Sequence, residues 1–147
     1  YVKPHGALYN DMMKDVKIYE SILIALSLYH QKHELVIQSL PSLKTYEVLA
    51  DKYDIALKLE GFADRAYTNE GLLVSRANNN AILSEHESLL QVKAMLKGDA
   101  FVSEQNSKLS LSIDTLCVHS DTPNALVLCR KYRQLIDSYA SVKVSAS

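Results

Sequence analysis

The chain has 147 residues, with 16 Lys and Arg against 17 Asp and Glu, so its formal net charge is -1. This balance argues against a protein that binds nucleic acid by neutralising phosphates. A hydrophobic content of 48% and a charged content of 22% are typical of a globular core and exclude general disorder, and the length fits one domain or part of one.

Neither a membrane span nor a signal peptide is evident in the sequence. The most apolar stretch, residues 18–29, is short and is interrupted by a glutamate and two serines. Cys117 and Cys129 are too few for a disulfide framework and indicate a reducing compartment, so we expect a cytoplasmic protein. Because the sequence opens at Tyr1 inside a dense motif rather than at Met, we expect it to be a truncated or cleaved form.

Short β-like runs alternate with longer runs of helical period, which predicts an α/β protein with parallel strands. A first helix is predicted from a cap at residue 10 or 11 to about residue 30. A buried strand follows at residues 35–37. A second helix opens at residues 41–42, and the next strand covers residues 55–59.

Residues 60–76 are rich in polar and charged side chains and are predicted to form a long loop of the kind that often carries function. Ser84 and Glu87 have the spacing of a capping box, so a third helix is expected to start there. Gly98 is expected to end that helix.

The last third of the chain combines short strands with one more helix. Residues 100–103 and 109–111 are predicted to pair as a small hairpin, and residues 115–118 form a strand. Thr122 is expected to cap a helix that begins at the following proline. Residues 142–144 are expected to form a final strand.

Polar clusters directly follow three of the predicted strands. The carboxyl ends of parallel strands open onto one face of an α/β fold, where ligand-binding and catalytic groups collect. The sequence therefore predicts one composite site from distant segments. Its clusters are Lys3-Pro4-His5-Gly6, Glu60-Gly61-Phe62-Ala63-Asp64-Arg65 and His119-Ser120-Asp121.

The first two clusters carry groups suited to acid–base or metal chemistry. Lys3 can hold an anionic oxygen, and His5 can ligate a metal or exchange protons, although an ordinary strand end fits equally well. Glu60 and Asp64 can share a metal or act as a general base. Arg65 can pair with Asp64, which would only pin the loop, or with a substrate carboxylate.

The other candidates belong to the long loop and to the third cluster. Tyr67 and Arg76 are either part of a lid over the site or solvated loop residues. His119 and Asp121 are expected to face different partners, because their side chains, two residues apart, diverge on an extended chain. Asp121 can also lie at the N-terminus of the following helix, where the helix dipole favours a negative charge. No glycine-rich phosphate loop is present, so another chain is expected to bind any ATP.

Four segments together resemble the LamB/YcsF family, the A subunits of bacterial ATP-dependent 5-oxoprolinases. They are KPHGALYN at residues 3–10, EGFADRAY at 60–67, GLLVSR at 71–76 and DTLCVHSDTP at 114–123. The resemblance extends over nearly the whole chain. It implies an α/β fold that is an incomplete (β/α) barrel of the glycoside hydrolase/deacetylase type, with residues 1–147 as a single domain that lacks the amino-terminal segment of the barrel.

The resemblance also implies a reaction, in which ATP and water convert 5-oxo-L-proline to L-glutamate. The implied partners are the B and C subunits, with ATP bound with or by them, and a divalent metal is a further expectation. No membrane or nucleic-acid partner is expected. The implied catalytic residues are Lys3, His5, Glu60, Asp64, His119 and Asp121, and the implied substrate-binding residues are Arg65, Tyr67 and Arg76.

The sequence departs from the family pattern in two respects. The Asp-x-Asn-x-Asp-x-Gly-Glu and Gly-x-His-x-Gly-Asp runs of the family's amino-terminal part are missing, and Ser120 stands where the family usually has Gly. Because an unclosed barrel exposes strand edges, we expect it to need the missing segment, a second chain or self-association. Two alternatives stay open: a metal-dependent hydrolase of another amide or an acetylated sugar, with His5 and His119 as ligands, and an inactive fragment that only binds a partner.

Overall fold

The computed structural model describes residues 1–145 of the chain. In chain order its elements are α1 Ala7–Met12, α2 Val16–Ser27, β1 Leu35–Gln38, α3 Lys44–Lys52, β2 Leu57–Phe62, α4 Glu85–Lys97, β3 Phe101–Val102, β4 Lys108–Leu109, β5 Thr115–Cys117 and α5 Ala125–Ser145.

A parallel sheet with the order β1-β2-β5 forms the centre of the fold. Val2 extends it through a parallel bridge to Leu35, so the segment that leads into the first polar cluster runs alongside β1. The predicted α/β class with parallel strands is confirmed. Closure into a (β/α) barrel stays a prediction, as does the assignment of residues 1–147 to a single domain.

The helices bury the apolar side of this sheet. Tyr19 and Leu23 of α2 belong to the same fully buried cluster as Leu35 and Ile37 of β1. A second cluster, built around Val92 of α4, joins α4 to α5. Burial of such side chains stabilises the fold by about 1.5–3 kcal/mol each. The α4–α5 cluster also holds the chain just after β2 and so supports the region where the polar clusters lie.

The first predicted helix is wrong in its extent, because the chain forms two helices instead of one. α1 ends at Met12, and Asp15 adopts extended backbone angles before α2 begins. The carboxylate of Asp15 accepts a hydrogen bond from the backbone N–H of Lys17 at 2.8 Å. An aspartate that satisfies a free N–H in this way favours the start of a new helix over the continuation of the old one.

The second predicted strand is displaced, and the loop after it begins later than expected. β2 runs to Phe62, so Glu60 and Gly61 belong to the strand and not to the loop. Gly61 pairs with Leu116, and a side chain at Gly61 would collide with Ile113. The polar residues of this segment are typical of a loop. In the fold, pairing with β5 makes Glu60 and Gly61 part of the sheet and buries them.

The structure corrects three further boundaries. α3 begins at Lys44 rather than at residues 41–42, and α5 begins at Ala125 rather than at the proline after Thr122. Residues 142–144 lie within α5 and not in a strand, because the helical repeat continues through them. Three β-branched or polar residues are too few to override the propagation of a helix that is already formed.

The capping box and the hairpin are confirmed. Ser84 accepts from the backbone of Glu87, whose side chain accepts in return from the Ser84 backbone, and Gly98 ends α4 with φ 74°. β3 and β4 pair antiparallel, over a shorter stretch than predicted. Asn106, with φ 63°, supplies the left-handed residue of their turn, a role that asparagine fills where glycine is absent. Within the described residues, no helix combines the length and hydropathy needed to cross a membrane.

Candidate functional site

A cavity of about 560 Å³ opens at the carboxyl ends of β2 and β5, beside the first residues of the chain. We refer to it as the central cavity. All three polar clusters contribute to its lining, although they come from distant parts of the sequence. The predicted site residues that line it are Lys3, His5, Arg65, Arg76 and His119, and Ser120 lies beside them.

Asp64 and His119 form the best-ordered polar contact of the central cavity. Asp64 is fully buried, and its Oδ1 lies 3.1 Å from Nδ1 of His119. The backbone N–H of His119 donates to Oδ2 at 3.1 Å, and the hydroxyl of Thr122 also donates to Oδ2. Burial by itself raises the pKa of Asp64, but the hydrogen bonds from His119 and Thr122 outweigh it and lower the pKa below its usual value.

This contact fixes the imidazole of His119 and selects its tautomer. With Nδ1–H donated to the carboxylate, Nε2 carries a free lone pair. Phe62 packs flat against the ring, with centroids 5.7 Å apart and planes inclined by 15°. His119 keeps 24% of its side chain exposed and lines the central cavity. The arrangement therefore presents a held imidazole that can accept a proton from a bound molecule.

Lys3 and Glu60 form a second, partly buried ion pair. Lys3 Nζ lies 2.6 Å from Glu60 Oε1 and 3.6 Å from Cys117 Sγ. Burial lowers the pKa of Lys3, but the hydrogen bond and charge of Glu60 raise it above its usual value, so Lys3 stays protonated. Glu60 thus pairs with Lys3 whereas Asp64 contacts His119, so the two carboxylates have different partners.

Two groups beside this pair have no hydrogen-bond partner. The hydroxyl of Tyr9 and Oε2 of Glu60 are both buried and unpaired among the described residues. Burial, followed by the negative charge of Glu60, raises the pKa of Tyr9 well above its usual value. Tyr9 therefore remains a neutral phenol, with Lys3 Nζ 5.6 Å from the centre of its ring.

Arg76 and Asp121 form an exposed ion pair at the rim of the central cavity. The Arg76 guanidinium donates to both carboxylate oxygens of Asp121, which ties the loop after β2 to the segment after β5. Asp121 makes no hydrogen bond to His119. His5 is exposed and lines the cavity without a hydrogen-bond partner in the described part of the chain.

Arg65 does not pair with Asp64, which was one of its two predicted partners, and pairing with a substrate carboxylate stays a prediction. Arg65 is 5% exposed, and its Nε and Nη2 donate to the carbonyl oxygens of Ala81 at 3.2 Å and Val74 at 2.7 Å. Within residues 1–145 no carboxylate forms an ion pair with it. No carboxylate of the described residues contacts its guanidinium directly, although the charges of Asp64 and Asp121 act to raise the pKa of Arg65.

Tyr67 does not reach the central cavity and serves the architecture of the loop. It is fully buried, and its hydroxyl oxygen accepts a hydrogen bond from the backbone N–H of Phe62 at 2.7 Å. Gln91 of α4 donates to the carbonyl oxygens of Phe62 and Arg65, at 2.8 and 3.0 Å. Together these side chains hold the turn that carries Asp64 and Arg65, so the substrate contact predicted for Tyr67 is replaced by a supporting role.

Gly71 allows the same loop to fold back towards the sheet. Its φ of 83° is in the left-handed region, and a side chain there would collide with the ring of Pro41. Its carbonyl oxygen accepts a hydrogen bond from Gln38 of β1 at 2.7 Å. This close approach carries the following residues, up to Arg76, to the edge of the central cavity.

Sequence reasoning missed several contributors to this site. The sequence indicated only a helix cap for Thr122 and no site role for Cys117, whereas Thr122 donates to Asp64, and Cys117 is half-buried and faces Lys3. Burial raises the pKa of Cys117, with the charge of Glu60 acting in the same direction, so the thiol remains protonated. The alternation of β5 could have indicated that Thr115 and Cys117 share the face opposite Leu116.

Metal binding is not favoured by the side chains present. Among the described residues, no group of three or more His, Cys, Asp or Glu side chains converges in a way that could hold a metal ion. Asp121 is paired with Arg76, and Glu60 is paired with Lys3. We therefore derive no chemical step through a metal.

Comparison with known proteins gives a consistent set of relatives. The family model described as LamB/YcsF matches residues 1–146. The A subunit of the 5-oxoprolinase of Vibrio cholerae is 39% identical over 138 residues, covering 93% of this chain and 55% of that relative. A 5-oxoprolinase A subunit of Pseudomonas aeruginosa, the one numbered 3 in that organism, is 37% identical over 139 residues, with 94% and 55% covered.

A solved structure has the same fold. The lactam utilization protein from Thermus thermophilus superposes with a TM-score of 0.77 at 30% identity, covering 95% of this chain and 55% of that one. The chain thus spans about half the length of the relatives and of the structure it matches.

Proposed function

The chain belongs to the LamB/YcsF family, and on this premise we propose that it takes part in the ATP-dependent opening of 5-oxo-L-proline to L-glutamate. Its relatives are named as the A subunits of 5-oxoprolinases, which describes one component of an assembly with further subunits. We propose the B and C subunits as its partners, with ATP bound with or by them. The observation that carries the proposal is the Asp64–His119 pair, held at the wall of a cavity that also contains Lys3 and Arg65.

The chemistry requires water to add to the lactam carbonyl carbon and the ring C–N bond to break. His119 suits the proton transfers, because Asp64 holds Nδ1–H and leaves Nε2 to take a proton from water. The same nitrogen can then deliver that proton to the departing ring nitrogen, which becomes the amine of glutamate. ATP supplies the activation that a stable five-membered amide needs: transfer of its terminal phosphoryl group to the carbonyl oxygen leaves ADP, and after the ring has opened a second water releases that group as phosphate.

Cationic side chains complement the charges of the substrate and of the reaction. Lys3, kept protonated by Glu60, can stabilise negative charge that develops on the carbonyl oxygen. Arg65 and Arg76 line the cavity and can hold the carboxylate of 5-oxoproline. Glu60 acts by orienting Lys3, and Asp121 acts by orienting Arg76. His5 is positioned at the cavity mouth for contact with substrate.

Reconstitution tests the proposal. The full chain is combined with the B and C subunits of a relative, and glutamate formation from 5-oxoproline is measured with and without ATP. We expect ATP-dependent glutamate formation that His119→Ala reduces by about a hundredfold or more. The corresponding subunit from Vibrio cholerae serves as the positive control. If that control is active and this chain yields no glutamate, the proposed function is wrong.

A further inference from the structure

A second cavity, of about 340 Å³, lies between the corner that joins α1 to α2 and the loop that follows β2. We refer to it as the basic cavity. Its charged lining residues are Lys14, Arg65 and Arg76, and it has no Asp or Glu in its lining. Arg65 and Arg76 also line the central cavity, so the two spaces meet at these side chains.

Arg65 is the structural reason to expect a ligand there. A buried charge is costly unless an opposite charge or several hydrogen bonds compensate it. Arg65 is only 5% exposed, yet only two carbonyl oxygens satisfy its guanidinium. Burial and then the charge of Arg76 lower the pKa of Arg65, and the charges of Asp64 and Asp121 offset this only in part, so an anion in the cavity would stabilise the guanidinium further.

The other charged residues of the lining are also cationic, which favours an anionic ligand over a cation. Lys14 is exposed at the far side of the cavity and forms no ion pair within residues 1–145. Arg76 is already paired with Asp121, so it contributes less charge than the other two. A guanidinium matches the oxygen spacing of phosphate and carboxylate groups, and a second cation nearby favours a group with more than one negative charge.

We propose that the basic cavity is a binding site for an oxyanion of the phosphate class, held by Arg65 from the inner wall and by Lys14 from the outer rim. The basic cavity shares Arg65 and Arg76 with the place proposed for the lactam, and Lys14 is the charged residue that lines only the basic cavity. The inference does not depend on the proposed reaction. It requires only that a dianion compensates the buried charge of Arg65.

Direct titration with inorganic phosphate tests the proposal, by calorimetry at low ionic strength on the full 147-residue chain. We expect saturable binding that Lys14→Ala weakens by about two- to fivefold, as for one exposed charge. Arg65→Gln should weaken it by about tenfold or more, as for the loss of hydrogen bonds to a charged group. Added salt should weaken binding in all variants.

Controls make each outcome decisive. Lys17→Ala removes an exposed lysine of α2 that does not line the basic cavity, and it should bind phosphate as the wild type does. Acetate, a carboxylate of single charge, should bind more weakly than phosphate. Absence of saturable phosphate binding, or equal binding by the Lys14→Ala and Lys17→Ala variants, would overturn the proposal. Acetate binding as tight as phosphate binding would overturn the assignment to the phosphate class.

The phosphate test is independent of catalysis. Lys14→Ala is expected to leave glutamate formation unchanged at saturating 5-oxoproline if the lactam binds in the central cavity. If Lys14→Ala weakens phosphate binding and keeps turnover, the result supports phosphate binding in the basic cavity and does not test the proposed reaction. A chain without turnover that still binds phosphate through Lys14 would contradict only the proposed function. Because Arg65→Gln can unfold the loop, its circular dichroism spectrum is compared with that of the wild type.

Discussion

Asp64 holds His119 by two contacts across 55 positions of the sequence: the backbone N–H of His119 donates to Oδ2 at 3.1 Å, and ring Nδ1 lies 3.1 Å from Oδ1. One buried carboxylate thus fixes both the main chain and the ring of the same histidine. Thr122 donates to the same carboxylate, so hydrogen bonds to the Asp64 side chain connect the turn after β5 to the turn after β2. The proton-transfer capacity of the site depends on this connection.

Replacement of the carboxylate should expose its role in orienting the imidazole. In Asp64→Asn a neutral amide replaces the charged carboxylate that accepts the hydrogen bond from Nδ1–H, so this tautomer of His119 is no longer favoured. We expect kcat for glutamate formation to fall by about a hundredfold to ten-thousandfold, with a small change in KM. The measurement is the reconstituted 5-oxoproline assay. Asp99→Asn, at an exposed position beyond α4, should retain wild-type activity. Equal kcat in the two variants would exclude a positioning role for Asp64.

The same carboxylate should contribute a pH-dependent part of the stability. Its folded-state pKa is below the unfolded value of about 3.9, so the contribution is fully present above that pH. It is lost as the pH falls through the lower, folded-state pKa. The difference in free energy of unfolding between wild type and Asp64→Asn should therefore shrink below about pH 3.9. Urea unfolding from about pH 6 to pH 3 measures it, and a difference that grows on acidification would contradict the assignment.

The Lys3–Glu60 pair should behave as a coupled unit in stability measurements. Glu60→Gln leaves Lys3 partly buried without its counterion, and we expect a loss of about 1–3 kcal/mol in the free energy of unfolding. The loss is smaller than for a fully buried pair because Lys3 keeps 22% of its side chain exposed.

A double-mutant cycle separates the pair from its surroundings. Lys3→Met combined with Glu60→Gln should cost less than the sum of the single changes, because neither charge is left unpaired. Lys32→Met is the matched control, since its pair with Asp54 is 83% and 80% exposed and should contribute nothing measurable. Urea unfolding gives all four values. Strict additivity of the Lys3 and Glu60 changes would show that the contact contributes no energy.

The approach of the loop to the sheet should depend on Gly71. In Gly71→Ala the new methyl group meets the ring of Pro41 in a left-handed backbone conformation, and we expect a loss of about 1–3 kcal/mol in stability. Gly98→Ala has a similar φ of 74° with nothing within 4 Å of the added group, so it should cost only about 1 kcal/mol. The difference between the two isolates the contact with Pro41. The Gly71 variant should also bind substrate less tightly, because Arg76 follows that turn.

Much of the fold follows from local patterns in the sequence. The capping box at Ser84, the stop at Gly98 and the buried run of β1 are short-range features, and the structure contains each of them. The family resemblance predicted from four motifs is also confirmed, because these motifs are long and occur in a fixed order. Predictions failed where tertiary contacts override local preference: Glu60 and Gly61 look like a loop but complete β2, since β5 pairs with them.

The order of residues is enough to show which groups are available to the site, because Lys3, Asp64, Arg65 and His119 follow strands whose carboxyl ends a parallel sheet brings to one edge. Their partners could be seen only in the folded chain. There Asp64 contacts His119, and Arg65 has no direct ion pair within residues 1–145, although Asp64 is its neighbour in the chain. The chain turns after β2, so Asp64 faces His119 and Thr122. The guanidinium of Arg65 instead faces the carbonyl oxygens of Val74 and Ala81. Charge pairing is therefore set by the segments that pack against this turn and not by adjacency along the chain.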